Sequence, residues 1–259
     1  MPIWSNQIRQ PAHHILSSVN GKQQTKVVYF SSCINRMMGG KIQEQFFSVC
    51  KKANVEVIVP RDLKGTCCGQ VFSSKGFADA YKITANKTVE KLWIASNEGR
   101  IPIVVDVTSC TQTVNGYRVS LSDENKMKFD KMTFLDVIDF AATILLPKLK
   151  IAHPKNAVVF HPVCSVFKMG SLSKLQLIGD ACSKKADIPL FAKCCGMAGD
   201  RGFYYPDLTA SATKLEADEV RQINYDGYYS SSTTCEMALS ESVGKQYESI
   251  LQLLDEVSE

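Results

Sequence analysis

The chain has 259 residues, 45% of them hydrophobic and 22% charged, with a formal net charge of +4 at pH 7 and ten cysteines. That length suffices for one large domain or two ordinary ones, and it buries enough surface that a core needs no disulfides. The composition excludes a disordered chain, and no apolar run reaches the roughly 18 residues of a membrane span; the basic clusters (Lys51-Lys52, Lys126 to Lys131, Lys184-Lys185) are short and read as solvated faces rather than a nucleic-acid track.

In chain order, residues 1–24 are polar and irregular and read as a linker or N-terminal extension. They lack the charged-then-apolar order of a secretory signal, so the expected location is the cytoplasm, with peripheral attachment to the inner membrane face as a further option. Residues 26–32 form a short apolar run of the buried parallel-strand type. Helical spacing follows over 40–52, with Ile42, Phe46, Phe47 and Cys50 on one face. A second strand is expected at 55–59, closed by Pro60, then the loop carrying Cys67-Cys68-Gly69. A long helix is expected over 77–97 through Ala80, Ile83, Val89, Leu92 and Trp93, then a third strand at 101–107 with Cys110 just beyond.

The same order recurs. A strand at 157–160 leads to Cys164, a helix spans 172–186, and a strand at 188–192 leads to Cys194-Cys195. A helix runs from Asp207, a plausible N-cap, to Ile223, and a strand at 228–231 leads to Cys235. Each half ends in a similar helix, 134–139 matching 250–255, while 114–131 is a polar insertion in the first half alone. The expected architecture is α/β: two tandem repeats, each a small parallel sheet flanked by helices with Rossmann-like right-handed crossovers, related by a pseudo-two-fold duplication. The expected divisions are 1–24, 25–150 and 151–259.

The cysteines give this plan its point. Cys33, Cys67, Cys68 and Cys110 form one set and Cys164, Cys194, Cys195 and Cys235 the other, with offsets of 131, 127, 127 and 125 residues between matching members. Each lies just after an expected strand, and in open α/β sheets ligands bind beyond the carboxyl ends of the strands. Thiolates are soft ligands, suited to iron–sulfur clusters, zinc or copper(I). Neighbouring cysteines serve one site only on a turn, which the glycine after each pair permits. The wide spacings, 33 residues between Cys33 and Cys67 and 41 between Cys68 and Cys110, are unlike the paired knuckles of a structural zinc site. Cys50 and Cys182 fall outside the plan, on apolar helix faces, and read as core. His161 is a ligand, a proton donor or, as the blander reading, a hydrogen-bonded structural histidine. The stretch 196–202 lacks a Walker lysine, and its glycines read as room for a cofactor. Asp200 and Arg201 read as tuning or partner contacts, or as a simple ion pair.

The duplicated Cys-Cys-Gly arrangement resembles the cysteine-rich (CCG) domain of the B subunit of heterodisulfide reductase. That domain also occurs in iron–sulfur subunits of glycolate oxidase, anaerobic glycerol-3-phosphate dehydrogenase and lactate-utilisation proteins. The segments CCGQVFSSKGF, VVDVTSCTQT, CCGMAGDRGFYYPDLTASAT and GYYSSSTTCEMALS look like the C-terminal iron–sulfur region of large bacterial FAD-dependent D-lactate dehydrogenases, over roughly residues 5–259. The resemblance implies that the eight paired cysteines hold iron–sulfur clusters of the [4Fe-4S] type. It further implies an FAD-binding dehydrogenase domain or subunit and a ferredoxin-like domain as partners, and an acceptor such as a quinone, a cytochrome or another protein. No catalytic residue is expected on this chain by itself. One departure is plain: the full motif ends Cys-x-x-Cys, whereas Thr113 and Ala238 stand at those last positions. Each set is therefore one cysteine short of the five-cysteine arrangement. The rival readings are a thiol–disulfide reductase subunit and a zinc- or thiol-stabilised docking module.

Overall fold

The computed structural model describes residues 25–38, 40–60 and 65–259, so the expected extension at 1–24 lies outside the described residues. The first half runs β1 (Thr25–Phe30), α1 (Cys33–Met38), α2 (Ile42–Lys52), β2 (Val55–Ile58), α3 (Gln70–Ser74), α4 (Ala78–Ala95), β3 (Ile103–Val105), α5 (Thr108–Asn115), α6 (Asp123–Phe129), β4 (Phe134–Asp136) and α7 (Val137–Phe140). The second runs β5 (Lys155–His161), α8 (Cys164–Met169), α9 (Leu172–Cys182), β6 (Ser183–Asp187), α10 (Arg201–Tyr204), α11 (Pro206–Val220), β7 (Gly227–Ser230), α12 (Thr233–Val243), β8 (Tyr247–Ser249) and α13 (Ile250–Val257).

Both sheets are parallel and four-stranded, in the orders β2-β1-β3-β4 and β6-β5-β7-β8. The expected α/β duplication is the observed fold. In each sheet the order reverses at the first strand, and that switch point is where open α/β sheets leave a crevice for a ligand.

Several local expectations are corrected. The strand assigned to 188–192 is a loop, with Leu190 89% exposed, and the true strand is β6, which begins where α9 stops at Cys182. Its sequence, Ser-Lys-Lys-Ala-Asp, is mostly polar because it is an edge strand held by backbone pairing to β5 alone. The three-residue strand β4 lies inside 134–139, which the sequence reads as a closing helix, and its counterpart β8 lies just before 250–255, the matching helix. Consequently Phe134–Asp136 corresponds to Tyr247–Ser249, and the helices start one residue later; the Asp136 and Ser249 side chains cap them by accepting from the amides of Ile138 and Leu251. Ile83 is exposed, and the buried face of α4 is Ala85, Thr88, Val89 and Leu92. Asp207 is not the N-cap of α11; Tyr205 is, with Pro206 in the first turn, where a missing N–H costs nothing. The insertion at 114–131 is folded, containing a 3-10 turn (Tyr117–Ser120) with Tyr117 buried, and α6.

The halves share a core. Tyr29, Phe46 and Phe140 from the first pack in one cluster with Ile178, Leu251 and Leu254 from the second. Helix α13 lies on α2 while residues 141–145 lie on α9, and α1 meets α12 while α5 meets α8. These are the paired contacts of a pseudo-two-fold. Ser48 donates to Asp255 Oδ1 at 2.5 Å, and Lys52 Nζ donates to the carbonyls of Asp255 and Ser258 at 2.6 and 2.9 Å. Nearer the sheet ends, Thr108 donates through Oγ1 to Ser231 Oγ at 2.8 Å and Thr233 donates to the Asn35 side chain.

Candidate metal centre

Each quartet is delivered in the same way. Cys33 and Cys164 are the first residues of α1 and α8, three residues past the ends of β1 and β5. Cys110 and Cys235 lie in the first turns of α5 and α12, just past the ends of β3 and β7. Cys67-Cys68 and Cys194-Cys195 sit on loops that turn at Gly69 and Gly196, both with φ of +79°. A residue with a Cβ is strained there, and this left-handed turn lets two adjacent cysteines face one site.

The outcome exceeds what the sequence spacing promised. All eight cysteines line a single cavity of about 320 Å³ between the halves, together with apolar side chains such as Ile34, Met37, Val71 and Phe203. Within each quartet the thiols pair off: Cys33 and Cys67 Sγ are 3.6 Å apart, Cys68 and Cys110 3.0 Å, and Cys195 and Cys235 2.7 Å. In both halves the second cysteine of the adjacent pair and the last cysteine are buried, while the other two are more accessible.

The pairing divides the thiols into proton holders and anions. Hydrogen bonds from Cys33 and Cys68, with the Gly69 amide (3.3 Å) and the Arg36 guanidinium, pull the Cys67 pKa down to about 3. A hydrogen bond with Cys164 and the Gly196 amide lowers Cys194 to about 6. Cys195 falls to about 5 through Cys235 and His161. Cys33, Cys68, Cys164 and Cys235 are pushed up, led in each case by the hydrogen bond to a neighbouring thiol. Each half thus keeps deprotonated sulfur available, the form in which cysteine binds metal.

Of the other residues singled out, Cys50 and Cys182 are buried core residues, and burial pushes the Cys182 thiol up to about 12. Asp200 lines the cavity and pairs with Lys75 Nζ at 2.6 Å, a bridge between the two halves. Gly202 is a packing glycine, since a Cβ there would come within 2.3 Å of the Met197 sulfur. His161 is fully buried, with Nδ1 2.8 and 2.9 Å from the two carboxylate oxygens of Glu216, and its ring reaches Cys195 and Cys235. Burial would lower the His161 pKa, but the Cys195 and Glu216 side chains outweigh it and raise the pKa to about 9. Sequence reading missed Glu216. It lies 55 positions from His161 on α11, and no local pattern marks it.

Among the described residues no helix is long and apolar enough to cross a membrane. The Cysteine-rich domain (CCG) profile matches residues 27–115 and 158–240, one span per half. One subunit of the anaerobic glycerol-3-phosphate dehydrogenase of Escherichia coli K12 is 28% identical over 180 residues, covering 67% of this chain and 44% of that protein. The chain therefore matches less than half the length of that relative. The uncharacterized protein YkgE of the same strain is 21% identical over 223 residues, 83% of this chain and 90% of its own. The solved aspartate racemase of Picrophilus torridus aligns over 89% of this chain and 91% of its own at 11% identity and a TM-score of 0.37, too low to bear on fold or function. With the duplicated profile covering most of both halves, the chain belongs to the cysteine-rich (CCG) domain family.

Proposed function

We propose that this chain is the iron–sulfur electron-transfer part of a flavin-dependent D-2-hydroxy-acid dehydrogenase, with D-lactate as the substrate and the FAD on another domain or subunit. The observation that carries the reading is the convergence of eight thiols on one cavity. The donor set fits the group: each half offers four sulfurs, at least one of them anionic, and four thiolates are what a [4Fe-4S] cluster requires. Cys33, Cys67, Cys68 and Cys110 would hold one cluster and Cys164, Cys194, Cys195 and Cys235 the other. When bound, such clusters supply one-electron carriage between the flavin and an acceptor such as a quinone or cytochrome. The chain's own part is to orient the sulfurs from helix starts and glycine turns, to exclude water with Ile34, Met37, Val71 and Phe203, and to donate amide N–H groups to sulfur, as Gly69 does to Cys67.

The Escherichia coli relative is by name part of a dehydrogenase, which supports oxidoreductase partners. It also gives glycerol 3-phosphate a claim as the alternative electron source. The test is iron, zinc and acid-labile sulfide content, with an absorption spectrum, on anaerobically purified full-length chain. About four or eight irons with matching sulfide is the expected result. Stoichiometric zinc without sulfide would overturn the electron-transfer reading in favour of a docking module.

A further inference from the structure

The two quartets are alike, but their surroundings are not. Three residues before Cys164, at the end of β5, stands His161; three residues before Cys33 stands Phe30, fully buried in the first half's own core. The imidazole therefore belongs to one half only. Its setting is that of a metal ligand in three respects. Nδ1 faces both oxygens of a buried Glu216, and a carboxylate can only accept, so Nδ1 keeps its proton and Nε2 is the nitrogen left to bind a metal, which displaces any proton there as metals do at histidine and cysteine ligands. Nε2 is itself buried with no aligned hydrogen-bond partner. Third, His161, Cys195 and Cys235 each offer a ligand atom, all within 4.8 Å of one another. Ligands bound to one tetrahedral ion at about 2.0–2.3 Å lie about 3.3–3.8 Å apart, so shifts of about an ångström bring the three into register.

We propose that His161 is a metal ligand through Nε2, beside Cys195 and Cys235, so that the second half holds a mixed imidazole–thiolate site and the first a thiolate-only site. The inference rests on the reading of the thiol cavity as a metal centre, but not on that metal being iron. Glu216 is the positioning residue, fixing the tautomer and ring plane as carboxylates do behind metal-bound histidines. The missing fifth cysteine of the second set is thereby answered by an imidazole on a different strand end.

The probe is cadmium-113 alone, added to the full-length, metal-free chain labelled with nitrogen-15 in its four histidines. The expected result is two bound ions, with a cadmium–nitrogen coupling on one imidazole only, lost in His161→Gln. That variant should also weaken one of the two ions by at least about 100-fold and leave the other unchanged, while Glu216→Gln weakens it about 10-fold with the coupling retained. Cadmium bound without any imidazole coupling would overturn the proposal, as would a coupling that survives in His161→Gln or failure to bind cadmium at all. Should His161→Gln not fold, His161→Cys keeps a ligand and should move the second cadmium resonance into the all-thiolate range. Iron and sulfide analysis separates the two readings. Iron present without coupling removes only the histidine ligand, whereas coupling without iron or sulfide removes only the cluster.

Discussion

The halves present the same four thiols on the same strand ends, yet the charges acting on those thiols differ. In the first half the cation is Arg36, on α1, which also donates to the Thr66 carbonyl and helps lower Cys67. In the second, a buried imidazole held by a buried carboxylate, His161 on Glu216, acts on Cys195, while Lys168 acts on Cys164. Capping differs in the same sense: the first half uses Asp136 where the second uses Ser249, and Asp106 lies beyond β3 where the corresponding stretch beyond β7 has Ser231. The duplication thus preserved what backbone geometry dictates, the helix starts and the left-handed glycines. What changed is the set of buried ionisable groups. Position of the sulfurs and their electrostatics are separable properties of this fold.

Making the second half resemble the first tests that separation most severely. His161→Phe leaves Glu216 buried without its partner and should cost about 3–5 kcal/mol in denaturant unfolding of the metal-free chain. Adding Glu216→Leu should recover most of it; if the single change costs less than about 1 kcal/mol, the pair is not formed in the native state. Next come the two turn glycines. A Cβ on Gly196 would lie 2.8 and 2.9 Å from backbone atoms of Leu208 and Thr209, whereas one on Gly69 meets side chains, the Tyr81 ring at 2.9 Å and the Thr84 methyl at 3.5 Å. Gly196→Ala should therefore cost about 3–4 kcal/mol and Gly69→Ala about 2, since a side chain yields more readily than backbone. Equal losses would show that both turns are equally adaptable.

Asp136 gives the comparison a pH dependence. Burial raises its carboxyl to about 6, above the unfolded value, so its stabilising contribution is complete below about pH 4 and is lost as pH rises through 6. Relative to wild type, Asp136→Ser should gain up to about 3 kcal/mol between pH 4 and pH 7, read by urea midpoints across that range. A flat difference would mean that the Thr108, Thr111 and Ile138 hydrogen bonds already hold the carboxylate ionised. The smallest effect belongs to the one ion pair described across the cavity mouth. Lys75 and Asp200 are both well solvated, so Asp200→Asn should cost under about 1 kcal/mol, and nothing measurable at high salt.

The thiol plan was legible because its signal is periodic in the chain and needs no knowledge of distant packing. The longer buried strands were legible for a similar reason: 26–30 and 157–160 are apolar runs that only a covered parallel strand requires. Strands β4 and β8 were not, since three residues carry no period and their side chains also suit the helix that follows. Polar β6 is recognisable only from its neighbour β5, while the apolar 188–192, which mimicked a strand, lies in a loop with Leu190 turned to solvent. The merging of two quartets into one cavity depends on the docking of the halves, which no local pattern encodes. The same is true of Glu216 behind His161.

The seating of α13 on α2 has a temporal consequence. Cys33 leaves the ribosome more than 200 residues before the helix that covers α2, which at about 5–20 residues per second is an interval of roughly 10–45 s. Throughout it the first quartet has neither its facing quartet nor its finished core. Loading of the cavity therefore follows the folding of α13, and newly made thiols depend on the reducing power of their surroundings until residue 257 has folded into place.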